Sequence, residues 1–253
     1  MPRNTSRYPN LRILGVDLGG SHVKVLLRGR TVPRRAESGP DMTPQKLATT
    51  MRRLTRGWRY DVVSMGYPGV VWHGRPVAEP HNLGRGWVTF DYREAFGDRP
   101  IEIINDAAMQ AIGSYEGGRM LFLGLGTGLG SAFITSGVVE PMELGHLPYR
   151  KGRTYEEYVG AHGLKRLGRK KWERCVHDVV ERLQAAIQAD YVVLGGGNVH
   201  RLRELPSGAR TGGNANAFIG AFRLWLEPGW RRTGTTSDSA RARGRPAKPD
   251  IGS

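Results

Sequence analysis

Three times in this chain a short β-rich run empties into glycines that end in a small hydroxyl or amide residue. The first is Asp17-Leu18-Gly19-Gly20-Ser21, with Lys24 beyond it; the second is Gly124-Leu125-Gly126-Thr127-Gly128-Leu129-Gly130-Ser131; the third is Gly195-Gly196-Gly197-Asn198. Glycine at a strand end lets backbone N–H groups approach an anion closely, and Ser or Thr hydroxyls add donors. An Asp beside such a turn is placed to hold Mg²⁺ or its water shell at a polyphosphate. No GxxxxGK[ST] is present, and the second turn fails GxGxxG because Leu129 stands where the last glycine belongs. One such turn reads as well as a plain hairpin. Three together, one with an Asp two residues before its first glycine, weaken that reading and point to a phosphate site.

The rest of the chain alternates strand and helix patterns, which makes it α/β. LRILGVD (11–17) and SHVKVLLR (21–28) form a hairpin about Gly19-Gly20, and Thr43 or Thr49 opens a helix through Gly57 with Leu47, Met51 and Leu54 on one face. DVVSMGYPGVV (61–71) is an apolar strand broken at Pro68-Gly69. IEIIND (101–106) is a strand running into a helix, and residues 119–135 are strand, glycine turn, strand. Helices are expected over 154–167 and 169–188, the second with Trp172, Cys175, Val176, Val179, Val180, Leu183 and Ile187 as a core stripe. A buried strand over 190–198 and a last helix over 214–227 complete the pattern.

Two further segments bear chemistry. Asn105-Asp106 stands at a strand-to-helix junction, where α/β proteins gather their sites and where, equally, an Asn or Asp caps a helix. Glu143-Leu144-Gly145-His146, followed by Arg153-Thr154-Tyr155-Glu156-Glu157-Tyr158, offers acceptors and donors to a polyhydroxy ligand. The lack of nearby cysteine, and of another histidine before His162, argues against zinc.

Charge narrows the partner. The net charge is +15, and the segment from Arg231 onward, with six basic and two acidic residues and the composition of a disordered tail, leaves +11 on the remainder. The partner or substrate is therefore expected to be anionic. The single Cys175 excludes an internal disulfide and a CxxC zinc pair, no apolar run approaches the ~18 residues of a membrane helix, and the N-terminus lacks a signal-peptide core. The chain is expected to be soluble and cytoplasmic, with no membrane or nucleic-acid partner; no zinc finger, RRM signature or helix-turn-helix supports the latter.

In order along the chain, DLGGSHVK (17–24), GYPGVV (66–71), HNLGRGW (81–87), NDA (105–107), GLGTGLGSA (124–132), ELGH (143–146) and VLGGGN (193–198) resemble the motifs of the ROK family of sugar kinases. The matches run from Leu11 to about Trp225. The resemblance implies a two-lobed actin-like, hexokinase-like (ribonuclease H-like) ATPase fold with a central cleft. Residues 1–104 with a C-terminal helix at 213–227 would form the small lobe, 105–212 the large lobe, and 228–253 the basic tail. The family's cysteine-rich zinc loop after ExGH is replaced here by LPYRKGRTYEEYVG, so no structural zinc is expected. The first motif begins at residue 17, so the DNA-binding domain of ROK repressors is not expected. GRTYEEYVG and NANAFIGAFRLW are similar to the polyphosphate glucokinase branch, whose members use inorganic polyphosphate, often alongside ATP.

By this resemblance Asp106 is the general base at the 6-hydroxyl of glucose. Asn105, Glu143, His146 and Glu156 (Glu157 the alternative) hold the sugar hydroxyls, with Gly69 and Asn82 further sugar-side candidates. Asp17 anchors Mg²⁺; Gly19, Gly20, Ser21, Gly126, Thr127 and Gly128 cradle the donor phosphates, with Lys24 an additional phosphate contact or a solvated strand residue. Gly195, Gly196 and Gly197 face the nucleoside end of ATP. The basic run Arg150, Lys151, Arg153, Lys165, Arg166, Arg169, Lys170 and Lys171 offers a track for polyphosphate or, equally, a solvated face. Family habit and the aromatics near Trp225 and Trp230 point to a homodimer. The alternatives are an ATP-dependent kinase of mannose, fructose or an N-acetylhexosamine, and a non-catalytic sugar sensor on the same fold.

Overall fold

A computed structural model describes residues 10–213 and 215–230. The chain begins with strands β1 (Ile13–Leu18), β2 (His22–Leu27) and β3 (Arg34–Glu37), then helix α1 (Pro44–Leu54) and strand β4 (Val62–Tyr67). A small hairpin, β5 (Val71–Trp72) and β6 (Arg75–Pro76), one-turn α2 (Arg93–Phe96) and β7 (Ile101–Asn105) follow, and α3 (Asp106–Ser114) leaves β7 without a break. Next come β8 (Arg119–Leu125), β9 (Leu129–Thr135), β10 (Val138–Met142) and a 3-10 turn at Leu144–His146. A second small hairpin, β11 (Pro148–Arg150) and β12 (Arg153–Thr154), leads into α4 (Tyr155–Val159), α5 (Ala161–Leu167) and long α6 (Arg169–Ile187). Strands β13 (Tyr191–Gly195) and β14 (Ala209–Thr211) and helix α7 (Asn216–Leu226) end the fold.

The strands make two five-stranded sheets with one design. The first runs β3-β2-β1-β4-β7 and the second β10-β9-β8-β13-β14. In each, three antiparallel strands precede two parallel ones. The β1–β2 turn, with Gly19-Gly20, and the β8–β9 turn, with Gly126-Thr127-Gly128, therefore occupy equivalent places in the two sheets. Helix α3 packs against strands of both sheets, and α7 lies across β1, β4 and α3. Trp87, Met51 and Phe96 centre the core on the first sheet, and Trp172 with Val176, Val179 and Val180 of α6 centres that on the second.

Local chemistry sets the helix ends. Thr43, rather than Thr49, caps α1: its hydroxyl accepts the Lys46 N–H at 3.3 Å and Pro44 occupies the first turn. The single helix expected over 154–167 breaks at Gly160 into α4 and α5. There the Ala161 N–H bonds the carbonyls of Gly126 and Thr127 at 3.0 and 3.1 Å, and a Cβ on residue 160 would stand 2.6 Å from the Thr127 oxygen. A tertiary contact with the second glycine turn thus overrides the local helical pattern. The last helix starts at Asn216 rather than 214. The tail expected from residue 228 does not include its first three residues, because Pro228–Trp230 forms a 3-10 turn in which Trp230 is buried, edge-on to Tyr115 at 5.4 Å, and donates to Glu227 at 2.7 Å. The remainder of the expected tail lies outside the described residues. Trp230 is thus a core residue and offers no surface for a dimer.

Candidate functional site

The residues expected to serve as base, to hold the sugar and to cradle the donor line one cavity of about 680 Å³, Glu157 and the basic run excepted. Its walls are strand ends. Asp17 closes β1, the Pro68-Gly69 break follows β4, Asn105-Asp106 joins β7 to α3, and Gly195-Gly196-Gly197 follows β13. Ligand sites of open α/β sheets form at such carboxyl ends.

The three glycine turns line the same cavity. Ser38 braces the first, its Oγ donating to the Gly19 carbonyl at 2.5 Å and its amide to the Ser21 carbonyl at 3.0 Å. Asn198 stitches the third to the second: its amide donates to Leu125 and its side chain to the Gly126 carbonyl, both at 2.9 Å. The amides of Gly19 and Gly126 close their own turns, on His22 and on Gly124 and Gly128. Those of Gly20, Ser21, Thr127 and Gly128 have no backbone partner among the described residues and remain available to an anion. Gly196, at φ +85°, lies so close to Leu125 that a Cβ would meet its backbone at 2.5 Å. The third turn therefore requires glycine there.

Asp17 and Asp106 are the carboxylates of the cavity floor. Burial raises the Asp17 carboxyl above its ordinary value, against the pull of Lys24, whose Nζ lies 3.6 Å away. Asp106 is pushed up to about 7, first by burial, then by the charge of Asp17 and, less strongly, of Glu143; the 2.7 Å hydrogen bond from the Ala107 amide works the other way. Asn105 is buried and already engaged. Its side-chain oxygen accepts the Ala108 amide at 3.1 Å, capping α3, while its nitrogen donates to the Gly69 carbonyl at 3.1 Å. One amide hydrogen stays free for a ligand.

His146 stands between two acids, with Nδ1 3.9 Å from Glu143 and Nε2 3.8 Å from Glu156. The 3-10 turn Leu144–His146 and the start of α4 deliver these three groups. A Cβ on Gly128 would lie 2.5 Å from Glu156 Oε2, so Glu156 reaches the second glycine turn. Glu157 faces elsewhere: it completes a capping box with Thr154, accepting that residue's amide at 2.8 Å. Asn82 touches the first turn, its Cβ 3.1 Å from where a Gly20 Cβ would stand.

Other residues of this cavity carry weaker sequence signals or none, among them His81, Gln110 and Glu79. His81, beside Asn82 in HNLGRGW, meets His146 edge-on at 6.1 Å. Gln110 lies one helical turn beyond Asp106, a spacing that would have exposed it. Glu79 carries no local signal. It folds the loop that presents His81 and Asn82, accepting the amides of Gly86, Trp87 and Val88 at 2.9, 3.2 and 3.4 Å. The basic run is partly consumed by the fold. Arg150 pairs with Asp178 at 3.1 Å, Arg153 with Glu157 at 3.9 Å, and Arg166 donates to the Glu157 carbonyl at 2.8 Å. Lys151, Lys165, Lys170 and Lys171 form no ion pair among the described residues.

No protein-family model matches the chain. Over 206 residues it is 31% identical to a polyphosphate glucokinase of Mycobacterium tuberculosis, covering 72% of this chain and 76% of that protein. A polyphosphate glucokinase of Mycobacterium leprae is 30% identical over 216 residues, covering 76% of this chain and 64% of that protein. Among solved structures, the inorganic polyphosphate/ATP-glucomannokinase of Arthrobacter sp. strain KM superposes with a TM-score of 0.72 at 22% identity, covering 83% of this chain and 96% of the other. A ROK family glucokinase of Streptomyces griseus, in complex with glucose and AMPPNP, gives 0.69 at 16% identity, over 84% and 98%. These likenesses establish the expected two-sheet hexokinase-like fold. Among the described residues no helix is long and apolar enough to cross a membrane.

Proposed function

The chain belongs to the polyphosphate glucokinase branch of the ROK sugar kinases, and from that premise we propose that it transfers a phosphoryl group from inorganic polyphosphate, ATP or both to the 6-hydroxyl of glucose. The observation that carries this reading is the one cavity that Asp106 shares with the glycine turns and the Glu143–His146–Glu156 row, where burial pushes its carboxyl up to about 7. A base titrating near the working pH is ionised yet keeps its affinity for a proton. Asp106 accepts the hydroxyl proton as the sugar oxygen attacks the terminal phosphorus. Glu143, His146 and Glu156, with the free amide hydrogen of Asn105, hold the other hydroxyls, and an epimer leaves these polar groups unpaired. Gly69 and Asn82 border the sugar. Gly20, Ser21, Thr127 and Gly128 donate backbone and hydroxyl hydrogens to the phosphates, while Gly19 and Gly126 shape those turns. Gly195–Gly197 border the distal end of the donor.

Mg²⁺ suits this set of groups. Asp17 and Asp106 are hard-oxygen donors whose buried charges oppose each other, a repulsion that a cation relieves. No group of three His, Cys, Asp or Glu among the described residues forms a cage for an ion. Asp17 would therefore hold the ion, with donor phosphates and water completing its shell, and the ion would neutralise developing phosphate charge. Lys24 stays with Asp17 and tempers its charge. We assign residues 1–104 with 213–227 to one lobe and 105–212 to the other, on the ground that β7 completes the first sheet and α7 packs on β1 and β4. The cytoplasm is the proposed location, where both donors and free sugar meet.

The test is formation of glucose 6-phosphate by purified protein with Mg²⁺, given either long-chain polyphosphate or ATP, across pH 5.5–9. Turnover is expected with polyphosphate, with kcat/KM falling as the pH drops through the raised value of the Asp106 carboxyl, because protonation removes the base. Absence of turnover with either donor, on glucose or on mannose, sinks the reading.

The two adjacent glutamates separate by variant. Glu156→Ala is expected to raise the glucose KM by about tenfold or more without loss of stability. Glu157→Ala is expected to leave KM alone and to lower the melting temperature through the lost capping box. Steady-state kinetics and thermal melts of the pair distinguish them.

A further inference from the structure

We infer that Asp178, on α6 and outside the cavity, is a positioning residue for His146 and Glu156, acting through the Tyr149 hydroxyl. The inference rests on the sugar-holding role proposed for that pair.

His146 is joined to α4, which carries Glu156, by residues 147–154, whose only regular structure is the β11–β12 hairpin of three and two residues. A two-stranded hairpin of this length does not hold its own shape in water. Its neck is closed beside both site residues, where the Tyr155 amide donates to the Leu147 carbonyl at 3.0 Å. From there the Tyr149 ring ties the hairpin to α4, at 5.1 Å from Tyr155 and edge-on to Tyr158 at 4.9 Å. The same residue ties it to α6, because the Tyr149 hydroxyl donates to Asp178 Oδ2 at 2.6 Å. Arg150 Nη2, from the hairpin, reaches the same oxygen at 3.1 Å, and Arg182 Nε, one turn along α6, at 2.9 Å.

Helix α6 is the rigid partner. Trp172, Val176, Val179 and Val180 are at most 1% exposed, and the Trp172 indole donates to the Val159 carbonyl at 2.8 Å, fixing the end of α4. Asp178 thus connects a buried helix to a short hairpin whose two ends carry the sugar-facing groups. Burial alone would raise its carboxyl, but the hydrogen bonds from Arg182 and Tyr149 and the charges of Arg182 and Arg150 hold it below the usual range. It therefore stays a charged acceptor at every pH at which Asp106 is ionised. Effects on substrate positioning are expected because hydroxyl contacts tolerate little displacement.

The variants are Tyr149→Phe, which keeps the ring and removes one hydroxyl, Asp178→Ala and Asp178→Asn. Two readouts apply: KM for glucose against KM for the donor, and amide hydrogen exchange over 144–157 against 172–183. Tyr149→Phe and Asp178→Ala are expected to raise the glucose KM about tenfold, the scale of one hydrogen bond to a charged group, with the donor KM unchanged. Exchange should speed up over 144–157 while α6 keeps its protection. Asp178→Asn retains an acceptor oxygen and should recover most of the glucose KM. An unchanged glucose KM in an active Tyr149→Phe protein overturns the inference, as does exchange that is unaltered over 144–157 or raised equally along α6. Failure of the unsubstituted protein to phosphorylate glucose sinks the function proposed above instead, and the exchange comparison still decides whether Asp178 holds the hairpin.

Discussion

Asp106→Asn is expected to lower kcat by about 10³-fold with either donor, within the range ascribed to a general base, and to raise the melting temperature at pH 7.5. The two effects have opposite signs because they share one cause. The carboxyl is buried, faces Asp17, and titrates at about 7 instead of its ordinary 3.8. The folded protein consequently holds a proton that the unfolded chain releases, so the stability contributed at this position is full below about pH 4 and is lost as the pH rises towards 7. Above 7 the native state carries a charge it would be more stable without. Asparagine preserves the size of the side chain and the oxygen that accepts the Ala107 amide, so the helix start is undisturbed. The glucose KM should stay within about twofold, since Glu143, His146 and Glu156 are untouched. Calorimetric scans from pH 4 to 8 should show the gap in melting temperature between variant and parent opening over that window. Loss of activity together with a lower melting temperature throughout would mean that Asp106 is a structural cap rather than the base.

Much of this site was legible because its chemistry is local. A strand that empties into glycines needs no partner to be recognised, and Asn105-Asp106 lies where a strand pattern becomes a helix pattern. Leu47, Met51 and Leu54 marked the buried face of α1, as Trp172, Val176 and Val179 did for α6. The features that escaped depend on distant atoms. Gly160 interrupts a helical pattern because residue 161 bonds the glycine turn 35 residues earlier. Among the described residues short β14 pairs only with β13 and β10 only with β9, and neither carries a strand pattern strong enough to be read alone. Trp230 had the look of a surface aromatic until Tyr115, 115 positions earlier, supplied its partner. Arg150 belonged to a charge run whose neutralising acid, Asp178, sits on the next long helix. A one-dimensional pattern gives the sign of a charge but not whether the fold has already spent it. The repetition of one strand order in two sheets was likewise invisible, although it explains why two glycine turns of unlike sequence serve one cavity.

Gly220→Ala is expected to destabilise the fold by about 3 kcal/mol, despite a helix propensity gain of about 1 kcal/mol in the opposite direction. Helices α3 and α7 cross with backbone against backbone. A Cβ on Gly220 would fall well inside contact distance of the Met109 carbonyl, and one on Gly113 would collide with the carbonyl of Asn216. Neither obstacle is a flexible side chain that could swing away. The helices also cannot simply part. Arg223 Nη1 on α7 donates to the Ile112 carbonyl at 2.6 Å and the Tyr115 carbonyl at 3.1 Å, and the buried Ser64 hydroxyl of β4 donates to Ala221 at 2.6 Å. Relief of the clash must break these bonds or move α3, whose first residue is Asp106. The variant should therefore lose kcat even at temperatures where it remains folded, whereas Gly229→Ala, where nothing lies within 4 Å of the added methyl, should change neither property. Urea unfolding followed by circular dichroism measures the first effect, and turnover well below the melting transition measures the second. A cost under about 1 kcal/mol with normal turnover would mean that the crossing yields without displacing α3. A large cost with normal turnover would confine the crossing to stability. Loss of both would make the contact between two glycines the support on which the base of the proposed reaction is carried.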